Sequence, residues 1–285
     1  MTENFLTCER AYARKADEFS IKVERALKLL HAFRKKDCSI AYSGGKDSDV
    51  IAHLAKLAGI KAPLIHHVTT IDPPGTLKHC LQNGAILIRP KVSFFHLLQK
   101  KGYPTMWRRF CCAQLKEFYD TPVSIQGIRA AESNRRAARY KEPTACRVYS
   151  KKQHTEVVLP ILNWTNEDVA YFVKSEHINC HPLYYDEKGR FCVNNRLGCL
   201  GCPLQSDRGR RDFLLHPVLL QQWCRNLKVW YNNHGNSNLY HDMVYHIFYS
   251  NHGLEKASQH FDGLFPHEDY KTLLEDYFRC KLPAL

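Results

Sequence analysis

A short glycine-rich loop, Ser43-Gly44-Gly45-Lys46-Asp47-Ser48, combines the residue types that bind phosphate groups. It follows the apolar run 38–42 and precedes the helix-forming run 49–57, so we expect a strand, a turn and a helix N-terminus. The glycines let the backbone approach phosphate oxygens, the helix N-terminus points N–H groups at an anion, and the lysine adds positive charge. The spacing is not that of a Walker A loop. The loop predicts an anion-binding site, and an ordinary glycine turn is the alternative.

Four cysteines form the second group with chemistry of its own. Cys111 and Cys112 are adjacent on a predicted helix, whereas Cys199 and Cys202 lie on a glycine-bearing loop. Four thiolates can hold either tetrahedral zinc or an iron–sulfur cluster. Adjacent ligands suit a cubane better than a single zinc ion, because each sulfur can bind a different iron. We therefore expect a 4Fe–4S cluster on these four, with zinc, or packed and free thiols, as alternatives.

The chain has twelve cysteines, so other assignments are open. Cys180 and Cys192 are candidates to replace one of the four. The remaining six are expected to be small buried apolar residues: Cys8, Cys38, Cys80, Cys146, Cys224 and Cys280. The first nineteen residues carry many charges, unlike a signal peptide, and no run is long enough for a membrane helix. We expect a cytoplasmic protein with reduced thiols and no membrane partner.

The charge balance points to an anionic ligand or partner. Lys and Arg number 41 against 28 Asp and Glu, a formal net charge of +13, which favours nucleotides, tRNA or DNA. The excess is concentrated in residues 129–152, where eight Lys or Arg face two Glu. Arg129, Glu132 and Arg136 are spaced to share one face of a helix. We expect the two arginines to bind an anion and Glu132 to orient one of them; a surface ion-pair set is the alternative.

Strands and helices are predicted to alternate through the first half of the chain. This order predicts an α/β fold, a parallel twisted sheet with helices on both faces. In such a sheet the ligand lies outside the carboxyl ends of the strands, near a topological switch point. We expect a nucleotide-binding domain with the cysteine cluster at residues 1–207 and a helical C-terminal extension at 208–285.

Several segments together resemble the phosphoadenosine phosphosulfate (PAPS) reductase family within the PP-loop ATP pyrophosphatase superfamily. A Cys-Cys pair followed after 86 residues by Cys-x-x-Cys is similar to the 4Fe–4S signature of adenylylsulfate reductases. The matching segments keep the order of the family and are residues 43–48, 69–74, 109–116, 127–136, 159–164 and 198–203.

The resemblance implies an adenine nucleotide alpha-hydrolase-like fold and a role for each matching residue. Lys46, Asp47, Arg129 and Arg136 would be catalytic, with Asp47 orienting the loop or approaching a Mg²⁺ ion. The residues that would hold ATP, adenylylsulfate or PAPS are Ser43, Gly44, Gly45, Lys46, Asp47, Ser48, Thr70, Asp72, Gly127, Arg129 and Glu132.

The implied reaction is sulfur transfer or adenylation, with cleavage between the α and β phosphates. Reductases of the family carry a catalytic cysteine in a Glu-Cys-Gly-x-His context, and Cys280 lacks both the glycine and the histidine. Adenylation of tRNA or DNA for sulfur insertion and reduction of adenylylsulfate or PAPS are the two versions of this reaction, and the basic excess mildly favours the first. A sulfur donor or redox protein would be the partner. The sequence does not determine the oligomeric state, and a homo-oligomer is possible. The alternatives are a nucleic-acid-binding module with a structural four-cysteine zinc site and a regulatory subunit with a degenerate site.

Overall fold

The structure, a computed structural model, describes residues 2–116, 121–150, 153–234, 243–254 and 269–285. Side chains are described for residues 17–116, 121–145, 155–234, 244–254 and 269–285, which leaves out the predictions on Cys8 and Cys146. The chain divides into two compact units. The sheet unit comprises Met1–His67, Pro74–Ile88 and Phe118–Leu197, and the helical unit comprises Val68–Pro73, Arg89–Glu117 and Gly198–Leu285.

The sheet unit contains a six-stranded sheet in the order β3-β2-β1-β4-β6-β5. All neighbouring strands are parallel except β5 and β6, which form an antiparallel pair at one edge. The strands are β1 Cys38–Ala41, β2 Leu64–His67, β3 Ile86–Ile88, β4 Val123–Gln126, β5 Thr144–Ser150 and β6 Gln153–Val158. The predicted mostly parallel α/β sheet is confirmed, and β5 is an addition that the sequence pattern did not indicate.

The switch point of this sheet lies between β1 and β4. The chain runs from β1 outward to β2 and β3, then returns to place β4 on the other side of β1, with Ala41 opposite Gln126. Adjacent crossovers that leave a sheet in opposite directions open a crevice at the carboxyl ends of the strands. The glycine-rich loop that follows β1 begins at this crevice.

Helices cover both faces of the sheet, as predicted. The sheet unit contains α1 Thr2–Ala32, α2 Lys46–Leu57, α3 Thr76–Gln82, α6 Asn134–Arg139 and α7 Asn166–Ser175. The larger apolar cluster joins Val158 to residues of α1, α2 and α7. The preceding residue of β6, Val157, belongs to another apolar cluster, together with Tyr140 at the end of α6. Consecutive strand residues point to opposite faces, so these clusters lie on opposite sides of the sheet.

The helical unit packs short helices around the fully buried Trp223. Its helices are α4 Phe94–Lys101, α5 Phe110–Leu115, α8 Arg210–Leu215, α9 Pro217–His234, α10 Met243–Asn251 and the last described helix, Tyr270–Phe278. Aromatic rings of Phe94, Tyr103, Phe213 and Phe248 lie 4.8–6.2 Å from the Trp223 ring, centroid to centroid. Aromatic contacts of this kind dominate the energetics of a core.

The division into units differs from the boundary expected between residues 207 and 208. Residues 198–207 group with the C-terminal helices, because the backbone N–H of Gly201 and the side-chain amide of Gln205 both donate to the Asp212 carboxylate of α8. Two earlier segments of the chain also belong to the helical unit. Across the described ranges, no helix combines the length and the apolar character needed to cross a membrane.

Candidate functional site

The loop between β1 and α2 is shaped by its two glycines. Gly44 has φ +76°, a left-handed conformation that side chains disfavour, and a Cβ there would lie 3.0 Å from Cys80 Sγ. Gly45 occupies the N-cap of α2, which begins at Lys46. Because glycine has no side chain, it cannot cap the helix. The N-terminal end of α2 therefore faces the crevice with its dipole available to an anion.

The hydroxyl groups of the loop hold its backbone in place. Ser48 Oγ donates to the Gly45 carbonyl at 2.7 Å, and the Gly45 N–H donates to Ser43 Oγ at 3.3 Å. Ser43 Oγ also lies 3.3 Å from Ser48 Oγ. Tyr184, which the sequence did not single out, packs over this turn, and its hydroxyl accepts from the N–H of Leu197 at 3.2 Å. The loop is thus preorganised by its own hydrogen bonds.

Asp47 lies between two cations. Its Oδ2 is 2.8 Å from Lys46 Nζ and its Oδ1 is 2.7 Å from Arg129 Nε. Arg129 is only 1% exposed, and its other donors reach the Trp164 carbonyl at 3.3 Å and Asn166 Oδ1 at 2.9 Å. Buried charges require such pairing, because an unpaired one is costly. The geometry therefore gives Arg129 a clamping role in the loop, and its expected contact with an anion stays a prediction.

Gly127 allows β4 to approach the loop. It follows β4, and a Cβ at this position would lie 2.7 Å from the Asp47 carbonyl oxygen and 3.2 Å from the Ser48 nitrogen. Both neighbours are backbone atoms, which cannot rotate away. The glycine expected to bind nucleotide thus has a steric role beside the loop.

We expect Gly127→Ala to lower the free energy of unfolding by about 1–3 kcal/mol, the usual cost of forcing a methyl group into a packed site. Thermal unfolding measures it, and a decrease in Tm of several degrees is expected. Gly198→Ala is the matched control, because no atom lies within 4 Å of its Cβ position. Equal Tm values for the two variants would contradict the steric role.

Arg129, Glu132 and Arg136 do not share one helix, so that expectation is wrong. A 3-10 turn at Ala130–Glu132 ends at Ser133, whose extended backbone and side chain cap a separate helix, α6. Glu132 nevertheless joins the two arginines: its carboxylate accepts from the Arg129 N–H at 3.1 Å and pairs with the Arg136 guanidinium. Glu132 thus contacts both arginines, and its role in orienting one of them stays a prediction.

Arg136 lies in a positively charged environment. Burial lowers its pKa, and the neighbouring charge of Arg196 lowers it further, while Asp47 acts in the opposite direction. The sequence patterns did not point to Arg196, although it lies just before the cysteine-bearing loop. In the described part of the chain, the four cations Lys46, Arg129, Arg136 and Arg196 lie with three carboxylates, those of Asp47, Glu132 and Glu167, which leaves a small positive surplus. Such a surplus suits a polyanionic ligand.

A buried polar network lies behind the loop and was also missed. Asp49, in the first turn of α2, accepts from the Tyr42 hydroxyl and lies 3.0 Å from His79 Nε2. Burial, and then the Asp49 charge, raise the pKa of Tyr42 well above its ordinary value, so the phenol stays protonated and can donate. The pKa of Cys180 is raised for the same two reasons. This network joins the end of β1, α2 and α3.

Thr70 and Asp72, expected to face the nucleotide, belong to the helical unit. Thr70 has φ +66°, unusual for a β-branched residue, and its Oγ1 accepts from the Phe94 N–H at 2.8 Å. Asp72 accepts from the N–H and hydroxyl of Thr69 at 2.8 and 2.6 Å. These bonds fix the segment and begin α4. A contact of either residue with nucleotide stays a prediction.

The four cysteines expected to bind a metal all belong to the helical unit, whereas Cys180 and Cys192 belong to the sheet unit. Cys111 and Cys112 lie on α5, the predicted helix. A hydrogen bond with Cys112, burial, and the charges of Cys112, Cys202 and Cys199 together raise the pKa of Cys111. The pKa of Cys112 is lowered by the hydrogen bond from Cys111 and by Arg109.

Lys116 is, with Arg109, a cation beside this cysteine group. The Lys116 residue is exposed, and the protein around its ammonium group lowers its pKa, but the charge of Cys199 and a hydrogen bond to it, with contributions from Cys112 and Asp72, raise the pKa overall. A protonated lysine beside thiolates has the charge that would balance an anionic cluster. No group of three or more His, Cys, Asp or Glu side chains in the described part of the chain is arranged to hold a metal ion. Metal ligation therefore stays a proposal.

Comparison with known proteins gives one family match and one related sequence. Residues 96–205 match the family described as the phosphoadenosine phosphosulfate reductase domain. An uncharacterised 37.8 kDa protein of Escherichia phage 186 is 36% identical over 125 residues, which cover 38% of this chain. The match spans 34% of the length of the phage protein.

Solved structures of similar fold include three enzymes. PAPS reductase from Candida auris has a TM-score of 0.43 and 14% identity, with 61% of this chain and 87% of that chain covered. FMN adenylyltransferase from Candida glabrata has a TM-score of 0.43 and 17% identity, with 59% of this chain and 60% of that chain covered. A tRNA thiolase from Methanococcus maripaludis, with its 4Fe–4S cluster, has a TM-score of 0.40 and 12% identity, with 87% of this chain and 82% of that chain covered. Scores this low carry no functional argument.

Proposed function

Because residues 96–205 match the family described as the phosphoadenosine phosphosulfate reductase domain, we propose that the chain is a PP-loop enzyme that binds ATP and adenylates an acceptor. The acceptor attacks the α phosphate, a new bond forms between its oxygen and that phosphorus, and the bond to the β phosphate breaks. Pyrophosphate then leaves with the bonding electron pair. The acceptor we propose is a nucleic acid, tRNA or DNA, prepared in this way for sulfur insertion.

One observation carries the proposal: the uncapped N-terminus of α2 opens at the switch point of the sheet within a surplus of positive charge. Negative charge develops on the phosphates as the bond breaks, and preorganised donors stabilise it without reorganising. Lys46 and the Arg136–Arg196 pair are the cations suited to that task. Arg129, in contrast, acts through Asp47 by holding the loop.

Magnesium suits this site as a companion of the nucleotide. Mg²⁺ neutralises phosphate charge and prefers oxygen ligands. Both oxygens of Asp47 are already engaged by Lys46 and Arg129. We therefore propose that phosphate oxygens are its main ligands and that Asp47 orients the loop.

We also propose that Cys111, Cys112, Cys199 and Cys202 hold a 4Fe–4S cluster. All four thiols lie in one unit, and the pKa of Cys111 responds to the other three. When bound, such a cluster supplies a redox-active or sulfur-binding centre. Lys116, hydrogen-bonded to Cys199, would balance part of its negative charge.

Exchange of labelled pyrophosphate into ATP tests the adenylation. We expect exchange in the presence of Mg²⁺ and tRNA or DNA, and a loss of about ten- to hundredfold in Lys46→Gln, the worth of one charge-assisted contact. Lys56→Gln, on the exposed last turn of the same helix, is the matched control and should exchange normally. Sulfite release that depends on thioredoxin, without exchange, would instead establish a reductase.

A further inference from the structure

One tryptophan of the chain stands in the solvent. Trp107 is 93% exposed and its neighbour Met106 is 60% exposed, whereas Trp164 and Trp223 are buried. Fully exposed tryptophan is uncommon, because the indole carries a large apolar surface. This side chain lies in the helical unit, four residues before Cys111.

Trp107 is at the tip of a tight turn. The N–H of Thr105 donates to the Arg108 carbonyl at 3.3 Å, and the N–H of Arg108 donates to the Thr105 carbonyl at 3.2 Å. The Arg108 N–H also reaches Thr105 Oγ1 at 3.1 Å. Reciprocal backbone bonds across two residues close a hairpin-type turn. The turn presents Met106 and Trp107 outward.

The base of this turn is anchored. The Arg108 guanidinium donates to the Lys101 carbonyl at 2.5 Å, at the end of α4. Tyr103 is 5% exposed, and its ring lies 5.6 Å from Trp223 and 5.3 Å from Phe248. The turn therefore has a fixed backbone. Tryptophan has only two side-chain torsions, so ordering the indole on this backbone costs little conformational entropy when a ligand binds.

The chain around the turn carries charge of one sign. Residues 89–116 contain seven Lys or Arg and no Asp or Glu. Lys100, Arg108 and Arg109 are exposed on either side of the turn. Positive charge attracts a phosphate backbone, and an exposed aromatic ring stacks with a base. A protein partner with an apolar surface would leave these positive charges without counter-charges.

We propose that the turn 105–108 binds an unpaired nucleic-acid strand, with one base stacked on Trp107 and the adjacent phosphates near Lys100 and Arg108. The inference deepens the proposed function, on which it rests for the role of the strand as acceptor. Binding itself needs neither ATP nor a metal, so it can be measured apart from adenylation. Stacking uses the π face that every base has, so sequence preference is expected to be weak.

Anisotropy of a labelled single-stranded DNA of about 16 nucleotides, the upper end of the length that one such site covers, tests the proposal in the full chain without nucleotide. Trp107→Leu should raise the Kd by about five- to hundredfold, the loss of one stacked base. Trp107→Phe, which keeps an aromatic ring, should retain most of the affinity. The strand should quench tryptophan fluorescence in wild type, and this quenching should disappear in Trp107→Phe.

Two controls separate stacking from general effects. Leu215→Ala removes a 63%-exposed apolar side chain from the same unit and should leave the Kd unchanged. Lys100→Gln should reduce the slope of log K against log salt by about one, whereas Trp107→Leu should not change it. Equal Kd values for wild type and Trp107→Leu would overturn the proposal. So would equal losses in the Leu and Phe variants, or tighter binding of a duplex than of the strand. Binding without pyrophosphate exchange would leave this surface standing and sink only the adenylation.

Discussion

Arg129→Leu is expected to lower the free energy of unfolding by about 3–5 kcal/mol, the cost of breaking a buried ion pair from one side. The substitution leaves Asp47 with Lys46 as its one remaining ion-pair partner among the described side chains. It also removes donors from the Trp164 carbonyl and from Asn166. Because Asp47 lies in the first turn of α2, we further expect the loop to lose its geometry and pyrophosphate exchange to fall with stability. Chemical denaturation followed by circular dichroism measures the first effect.

A double-mutant cycle tests the cause. If the loss arises from the stranded carboxylate, Asp47→Leu combined with Arg129→Leu should cost less than the sum of the two single variants. Arg135→Leu is the matched control, because that arginine is exposed on α6, and it should change the free energy of unfolding by less than about 0.5 kcal/mol. If the Arg129 variant is as stable as the Arg135 variant, Arg129 does not stabilise the loop, and its role would instead be to bind an anion.

The sequence predicted most elements because their signals are local. Alternating apolar runs and helical periodicity predicted the strand, turn and helix around the glycine-rich loop, which the structure has as β1, the loop and α2. Thr165 and Asp168 form a capping box, another local signal, since the two residues are three positions apart in the sequence. The glycine-rich loop was located at the switch point because the β-α-β order determines where a crevice opens.

The partners within the site were not predictable in the same way. Asp47 and Arg129 are 82 residues apart in the chain and meet only because β4 lies beside β1. Asp49 and His79 are likewise joined by the packing of α2 and α3, and neither carries a motif. No local pattern encodes which charges become paired when strands are placed side by side. This explains why Arg129 was expected to be free for an anion.

Local patterns also failed where a short feature interrupts a regular one. The spacing of Arg129, Glu132 and Arg136 fits a helix, but Ser133 caps a new helix in between. Strand β5 was missed because Thr144–Ser150 lies in the basic run and lacks a clear apolar alternation. Its pairing with β6 supplies what its own sequence does not. Both cases show capping and pairing overriding periodicity.

Protein purified without oxygen is expected to contain iron and acid-labile sulfide in near-equal amounts, at about four of each per chain. Cys199→Ser and Cys112→Ser should each lose most of both, because a hydroxyl is a poor substitute for a thiolate ligand. Elemental analysis together with a sulfide assay measures this. Cys280→Ser is the matched control, since Cys280 also belongs to the helical unit yet lies outside the proposed set.

The alternatives give distinct results in the same assay. One zinc per chain, lost in the same two variants, would make the cysteines a structural site and leave the chemistry to the glycine-rich loop alone. Loss of iron in Cys180→Ser or Cys192→Ser would move a ligand to the sheet unit. Unchanged metal in Cys199→Ser would contradict the proposed ligands. Iron that remains absent after reconstitution would reduce the proposal to an ATP pyrophosphatase, because the Asp47–Arg129 clamp requires no metal bound to protein.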